Sequence, residues 1–281
     1  MSDSITPIIT FVSILGTKRT VVMRVMTFGN RGSEMTIRKT LSIFLTSGIS
    51  LAIALAFVAG TVSISTSPAW AEDDASIARG GKLYDKWYKV IKADGPKENH
   101  PAWPASNTKK KGGVTHRCKS CHGWDGLGKD GAYASGSYKT GIKGVNGMIG
   151  ADTAKIIAVM KDKTHGYAGK MDDKDYMDLA MFVSKGQVDM KKYIDYGAKK
   201  SKGNAAKGAA YYNTICAGCH GMKGELPKDM PKPLGGIGNP QEFIHKILNG
   251  QPGEPMPALL ALDVSITADI LAHIDTLPKE K

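Results

Sequence analysis

The chain has 281 residues, of which 42% are hydrophobic and 23% charged, and its formal net charge is +12. This composition is ordinary for a folded globular protein, so it excludes a largely disordered chain and a protein made of many membrane spans. The length suits one large domain or two small ones. All four cysteines fall in two short, similar motifs, which favours two domains.

The first 71 residues predict a secretory signal peptide with a short upstream segment. Two basic residues at 38–39 precede an apolar run at 41–60, and Ala-Trp-Ala at 69–71 supplies a small-residue cleavage site. We therefore expect export and a periplasmic location. Met35 is an alternative start. The apolar run is also long enough to span a bilayer, so an uncleaved signal would associate the protein with the membrane.

The net charge of the chain indicates which kinds of binding partner to expect. Residues 1–71 hold six of the 38 basic and two of the 26 acidic residues, so the remainder carries a net charge of about +8. The lysines are spread without interleaved aromatic stacking positions, which argues against nucleic acid. An acidic protein partner or an anionic membrane surface fits the positive charge better.

The chain repeats itself. The stretches ARGGKLYDKWY at 78–88 and AAKGAAYYNTI at 205–215 each place glycine and tyrosine on a predicted helix ahead of a cysteine motif, and helical patterns follow each motif. Two modules of the common domain size are therefore expected. The predicted domains are 72–190 and 205–281, joined by a lysine-rich, solvated linker at 191–204.

Four helices are expected after the motifs. In the first module the patterns span 151–162 and 172–183, the second of these capped by its first residue, an aspartate. In the second module, Asn239 starts one helix that Gly250 ends, and Ser265 starts the last. No strand pattern competes with these, so the fold class predicted is all-α.

The first module carries an insertion of about 30 residues ahead of its motif. Tyr84 lies 34 residues before Cys118, whereas Tyr211 lies five residues before Cys216. The inserted stretch includes KENHPAWPASNTKKKGG, which is rich in proline, lysine and polar residues. A connection of this length suggests a functional or partner-facing loop.

The cysteine motifs, CKSCH at 118–122 and CAGCH at 216–220, match the signature of c-type haem attachment. On a helix, positions i, i+3 and i+4 share one face, so two thiols reach the haem vinyl groups while the adjacent imidazole reaches the iron. A disulfide, a thioredoxin-like redox pair and half of a zinc site are the alternatives, and none requires the histidine. We therefore expect two covalently bound c-type haems. The predicted thiols are Cys118, Cys121, Cys216 and Cys219, and the adjacent histidines are His122 and His220.

The second module resembles a class I cytochrome c domain over nearly its whole length, from GAAYYNTICAGCHGMKGE through EPMPALLALDVSITADILAHIDTLP. The resemblance implies an all-α fold, His220 as proximal ligand and Met256 of EPMP as distal ligand. A core methionine is the alternative for Met256. The first module, with HRCKSCHGWDGLGKDGAY, is similar to a variant of the same family found in exported dihaem cytochromes, with His116 where that variant more often has tryptophan.

The distal ligand of the first haem follows from register. Met256 lies six residues before Leu262, and His165 lies six residues before Met171, each ahead of the last helical pattern of its module. His165 is therefore predicted to occupy the ligand position, which the family resemblance also favours. Met171, Met148 and a vacant position are the alternatives.

Other aromatic side chains are assigned structural roles. His245 and His273 lie off the apolar faces of their predicted helices, so we expect them at the surface or beside a haem propionate. Trp87, Trp103 and Trp124 are expected to pack against a haem or the insertion.

Two six-coordinate haems leave no open site for a substrate, so the predicted function is electron transfer between redox protein partners, without catalytic residues. With His165 as ligand, the first haem is bis-histidine and lies at a lower potential than the methionine-ligated second haem. The alternatives are a dihaem oxidoreductase, either a peroxidase or a sulfur-compound oxidase, and an electron-transfer subunit of such an enzyme. An oxidoreductase needs one iron with an open or weakly held position.

Overall fold

The computed structural model describes residues 22–23, 41–42, 69–228 and 232–278. The chain divides into two compact units, Met1–Thr66 and Ser67–Lys281. In the first unit, strand β1 (Val22–Met23) pairs antiparallel with strand β2 (Leu41–Ser42). Most of the predicted signal peptide lies outside the described residues and stays a prediction. Within the described ranges, no helix is both long and apolar enough to cross a bilayer.

The second unit begins with a bent helix and three shorter ones. Helix α1 (Ala69–Val90) bends where Lys86 leaves the helical conformation, with φ −157° and ψ 73°. Helices α2 (Cys118–His122), α3 (Thr153–Lys161) and α4 (Asp173–Lys185) follow. Short 3-10 turns lie at Gly112–His116, Ala132–Ala134 and Asn146–Met148.

The rest of the unit is also mainly helical. A hairpin of strands β3 (Ile194–Asp195) and β4 (Lys200–Ser201) precedes helix α5 (Ala205–Tyr211), which continues through a π-helical turn (Tyr212–Cys216) into helix α6 (Ala217–His220). Helices α7 (Pro240–Asn249) and α8 (Val264–Ile274) complete it, with 3-10 turns at Met190–Lys192 and Pro233–Gly236. Every strand in the described part of the chain has two residues, so the helix-rich prediction is confirmed.

Aspartate caps determine where the last helix of each module begins. Asp172 accepts the backbone N–H of Asp175 while the Asp175 carboxylate accepts that of Asp172, a reciprocal capping box that confirms the predicted start of α4. In α8, Asp263 accepts the N–H of Ser265, so the helix begins at Val264 and the predicted start at Ser265 is wrong by one residue. Because aspartate already satisfies a free N–H at this end, serine is not needed as the cap.

Helix α7 keeps its predicted ends but not its predicted cap. It begins at Pro240 and ends before Gly250, whose φ of 86° is one that glycine adopts readily. The side chain of Asn239 makes no capping bond. Its amide donates instead to the Glu242 carboxylate at 2.8 Å.

Close glycine contacts join the first and last helices of each module. A Cβ on Gly80 of α1 would overlap the backbone carbonyl of Asp178 on α4, and one on Gly208 of α5 would overlap that of Asp269 on α8. The structural repeat thus pairs Gly80 with Gly208, which corrects the register of the stretches 78–88 and 205–215 by one residue. The neighbouring Gly81 has a different role.

Gly81 lies where the two halves of this unit meet. A Cβ there would collide with the side chain of Asn249 on α7. Nearby, Lys246 of α7 donates to Asp85 of α1 at 2.8 Å, and Arg117 forms a second ion pair with the same carboxylate. Burial alone would raise the pKa of Asp85. The two cations outweigh this effect, so the pKa of Asp85 lies below its ordinary value. The carboxylate therefore stays ionised in a buried position.

The predicted surface position of His245 is wrong. Its side chain is 2% exposed, its Nε2–H donates to the Gly81 carbonyl at 2.9 Å, and its ring centroid lies 5.0 Å from that of Trp124. Burial lowers its pKa to about 4, so the ring is neutral near pH 7. His273 is half-buried, with its ring 5.4 Å from that of Tyr212.

The segment 191–204 is not the solvated linker that its lysines predict. The lysines are exposed, but Ile194 of β3 is only 1% exposed and belongs to a cluster with Ile244 of α7 and Leu271 of α8. The hairpin therefore carries an apolar side chain into the core. The predicted domain boundaries remain predictions.

The insertion packs against the first module. Trp103 is buried and donates from its indole N–H to the backbone carbonyl of Asn107 at 3.0 Å. The buried Asn107 amide donates in turn to the carbonyls of Ser137 and Lys139, at 3.1 and 3.0 Å. His100, earlier in the insertion, is buried as well. The inserted residues thus contribute buried side chains and hydrogen bonds to the module.

Candidate functional site

The two cysteine motifs each form a short helix that ends at a glycine. Gly123 has a φ of 83° and donates its N–H to the Lys119 carbonyl at 2.9 Å; Gly221 has a φ of 73° and donates to the Ala217 carbonyl at 2.8 Å. Side chains with a Cβ rarely adopt such angles, so glycine lets the chain turn sharply after the histidine. The helical motif places both thiols and the imidazole on one face, as the spacing predicts.

A buried tyrosine fixes each of these turns. The hydroxyl of Tyr84 on α1 donates to the Gly123 carbonyl at 2.7 Å, and that of Tyr212 donates to the Gly221 carbonyl at 2.8 Å. The tyrosines are 1% and 0% exposed. With the matching contacts of Gly80 and Gly208, the same local arrangement is built twice.

The histidine of each motif has one ring nitrogen occupied. The Nδ1–H of His122 donates to the Lys143 carbonyl at 2.8 Å, and that of His220 donates to the Leu226 carbonyl at 3.3 Å. Burial lowers the pKa of His122, which favours the neutral ring that a metal ligand needs. In both motifs Nε2 remains to bind a metal, the arrangement common to ligating histidines.

His165 faces the histidine of the first motif. The ring centroids of His122 and His165 lie 6.3 Å apart, and their planes are inclined by 24°. Two metal–imidazole bonds of about 2 Å, with about 1.1 Å from each nitrogen to its ring centroid, would separate the centroids by about 6 Å. The spacing therefore fits an iron held between the two imidazoles.

The polar atoms of His165 other than Nε2 are all engaged. Its backbone N–H donates to Asp162 at 2.8 Å, and its Nδ1–H donates to the same carboxylate at 3.1 Å. Its carbonyl accepts a hydrogen bond from Nε2–H of His100 at 2.9 Å. The N–H of His165 also keeps the pKa of Asp162 below its ordinary value, so the ring faces an ionised partner.

Met256 shares an apolar cluster with the second motif. Both Met256 and Cys216 of the motif pack against a buried cluster that includes Ile247 of α7. Its carbonyl accepts a hydrogen bond from Lys82 at 3.4 Å. Because Pro257 follows it, the chain on its C-terminal side has a restricted backbone. This placement is compatible with a thioether directed at the haem position.

The observed helix caps preserve the predicted register of the two candidate distal ligands. His165 lies seven residues before the cap Asp172, and Met256 lies seven residues before the cap Asp263. These caps directly follow Met171 and Leu262, the two residues from which the sequence register is counted. His165 and Met256 therefore hold corresponding positions relative to observed structure.

The thiols are available for covalent attachment and differ in exposure. All four cysteines are free, so the disulfide alternative is not what the structure contains. Burial raises the pKa of Cys118 to about 12 and the pKa values of Cys121 and Cys216 to about 11. Cys219 is exposed. Cys118 and Cys216 each pack against an apolar cluster, which suits a large apolar cofactor.

Two of the other methionines considered share an apolar cluster with Cys118 of the first motif, and the third is exposed. Met148 and Met171 are partly buried and pack against the core of the first module. Met222, two residues after His220, is 59% exposed.

Residues 203–270 match the family described as cytochrome c oxidase, cbb3-type, subunit III. This segment contains the second cysteine motif and Met256, and the match identifies it as a c-type cytochrome domain with covalently bound haem. Cytochrome c domains generally act in electron transfer with redox partners. No curated protein matches the chain, and neither does any solved structure.

Several site residues were missed at the level of sequence. Asp162 stands three residues before His165, a spacing at which a side chain can reach a neighbouring turn, so a local signal existed. His100 carried no such signal because it lies 65 residues from its partner His165. The repeat did contain Tyr84, but its counterpart is Tyr212 and not Tyr211.

Proposed function

We propose that this protein is an exported dihaem cytochrome c built from two tandem class I cytochrome c domains, the first with an insertion, and that it carries electrons between redox partners. Each haem would be attached through two thioethers. The first would have the ligand pair His122 and His165, and the second the pair His220 and Met256. The attachment residues would be Cys118, Cys121, Cys216 and Cys219.

One observation carries this proposal beyond the matched segment: the facing rings of His122 and His165. The first motif lies outside residues 203–270, so its cofactor rests on its own geometry. The two imidazoles lie 6.3 Å apart, and each has its Nδ1 engaged, so each leaves Nε2 for a metal. They are well explained as two axial ligands.

The protein residues would set unequal properties for the two positions. When bound, a c-type haem supplies an iron that gains and loses one electron. Nδ1–H of His165 donates a hydrogen bond to the Asp162 carboxylate. This bond raises the basicity of the imidazole and so strengthens it as a metal ligand. Met256 supplies a thioether, which favours the reduced state. We therefore expect the first site to have the lower potential and the second the higher.

Electrons would enter at the first site and leave from the second. The thiol of Cys219 is exposed, and Ile215 and Met222 beside it are 38% and 59% exposed, so a partner has an apolar area to approach. The net charge of about +8 after the predicted signal favours an acidic docking surface on that partner. Export by the predicted signal would place the exchange in the periplasm.

The test compares the haem-loaded protein with His165→Ala and, as a matched control, Met171→Leu. We expect the wild type to show one low-spin bis-histidine EPR signal and one methionine-ligated haem. His165→Ala should abolish the bis-histidine signal and preserve the methionine-associated absorption band, whereas Met171→Leu should preserve both. An unchanged spectrum in His165→Ala would reject His165 as the ligand.

A redox titration of the same proteins tests the proposed transfer of electrons from the first haem to the second. The wild type should titrate in two separate steps, with the bis-histidine haem lower. Coincident steps, or a bis-histidine haem at the higher potential, would reject the proposed direction of transfer.

A further inference from the structure

His100 is fixed within the insertion by hydrogen bonds at both its backbone and its ring. Its side chain is buried, and its backbone N–H donates to the hydroxyl of Thr115 at 2.8 Å. Its Nδ1 accepts the backbone N–H of Ala102 at 3.1 Å, so this nitrogen carries no proton. The proton therefore resides on Nε2, which makes Nε2 the donor in its bond with the His165 carbonyl.

The ring of His100 also fills the space between the motif and the His165 loop. Its centroid lies 4.9 Å from that of His116, which precedes the first motif, and 5.7 Å from that of Tyr167, two residues beyond His165. The Tyr167 hydroxyl donates to the His116 carbonyl at 2.7 Å. The loop is thus anchored at His165 itself by His100, and two residues beyond it by Tyr167.

These two anchors differ in what they control. Tyr167 ties the loop to the segment before the motif, whereas His100 holds the backbone of the candidate ligand residue itself. For His165 to swing away from His122, its carbonyl would have to move relative to His100. The bond is partly buried, so breaking it costs free energy that water only partly returns, and the bond resists this motion.

We propose that His100 is a positioning residue that keeps His165 in place as the distal ligand of the first haem, and that this is a role of the insertion. The inference rests on the proposed ligation by His165. His100 does not touch the iron position. It acts through the backbone of the ligand, and its loss should make the distal position easier to open.

The experiment measures cyanide binding to the ferric first haem of the full, haem-loaded protein. Binding is monitored as loss of the bis-histidine EPR signal, to which the second haem does not contribute. His100→Phe keeps an aromatic ring between His116 and Tyr167 but removes the donor. His100→Gln retains an N–H donor near the position of Nε2. We expect His100→Phe to raise cyanide affinity by about tenfold, the size of effect that one lost hydrogen bond produces, and His100→Gln to restore most of the wild-type value.

Asn107→Leu is the matched control for general loosening of the insertion. It removes the bonds from Asn107 to Ser137 and Lys139 but leaves the bond from His100 to His165. Cyanide affinity should stay at the wild-type value in this variant. An increase equal to that of His100→Phe would overturn the specific role of His100. Retention of both haems and of the methionine-associated band verifies that each variant is folded.

His165→Ala separates the two proposals. If it opens the first haem to cyanide while His100→Phe binds cyanide as the wild type does, the positioning role is overturned and the ligation stands. If His165→Ala leaves the bis-histidine signal and cyanide binding unchanged, both proposals fail. If His100→Phe and His165→Ala both increase binding and His100→Gln restores it, the positioning role is supported.

Discussion

The two cysteine motifs share a local design but differ in their surroundings. In each, a buried tyrosine holds the glycine that follows the histidine, and a carbonyl holds Nδ1 of the histidine. Around the first motif, Lys119 and Ser120 between the cysteines are 2% and 0% exposed. In the second motif, Gly218 and Cys219 are exposed. The two motifs thus share their local hydrogen bonds but differ in how deeply the residues between the cysteines are buried.

The predicted insertion makes contacts around the first motif that the second motif lacks. In the first module these residues reach two segments that follow the motif, through Asn107 to the segment at 137–139 and through His100 to the carbonyl of His165. The second module has no equivalent segment between Tyr212 and Cys216. One site is therefore suited to holding a ligand rigidly, and the other is accessible to a partner.

Removing the thiols of one motif is expected to have the largest effect. Cys118→Ala with Cys121→Ala, and separately Cys216→Ala with Cys219→Ala, should each leave about half of the covalent haem, because under the proposed function each motif attaches one haem. Mass spectrometry of the denatured chain and a haem stain measure this directly. The first pair should also lower stability more, since its thiols are more deeply buried. Two covalent haems on either variant would contradict the expectation that each motif attaches one haem.

Exchanging Met256, the proposed distal ligand of the second haem, should reduce the difference in potential between the two proposed haems. We expect Met256→His to lower the potential of the second haem by on the order of 100 mV, a small part of the roughly 0.8 V range that ligands and surroundings span. Redox titration provides the measurement. Met222→His is the control, because Met222 is exposed and lies only two residues from His220. A potential unchanged in Met256→His would exclude Met256 as the ligand.

The tyrosines test the shared design and should give the smallest effect. Tyr84→Phe should lower the free energy of unfolding by about 2 kcal/mol and Tyr212→Phe by about 1 kcal/mol, because the bond of Tyr84 is the more deeply buried and each change leaves a carbonyl without its donor. Chemical denaturation measures both. Tyr133→Phe is the control, since the Tyr133 hydroxyl has no partner among the described residues and should be dispensable. An equal loss in the free energy of unfolding in all three variants would contradict a stabilising role specific to the tyrosine–glycine hydrogen bonds.

The sequence by itself determined the features that depend on neighbouring residues. The cysteine spacing, the glycine after each histidine and the aspartate before α4 are all readable within a few positions. Such signals work because a helix end must satisfy its backbone groups locally. They were sufficient to place His165 in register with Met256, and the match to residues 203–270 supports a c-type cytochrome domain in the second module.

Only the tertiary structure decided which residues are buried between segments that are distant in sequence. It placed Gly80, and not Gly81, against α4, buried His245 beside Trp124, and carried Ile194 into the core from a lysine-rich segment. It also brought His100 to the carbonyl of His165. These contacts depend on the combined packing of several helices, so no local pattern encodes them, whereas covalent spacing and helix capping act within a single turn.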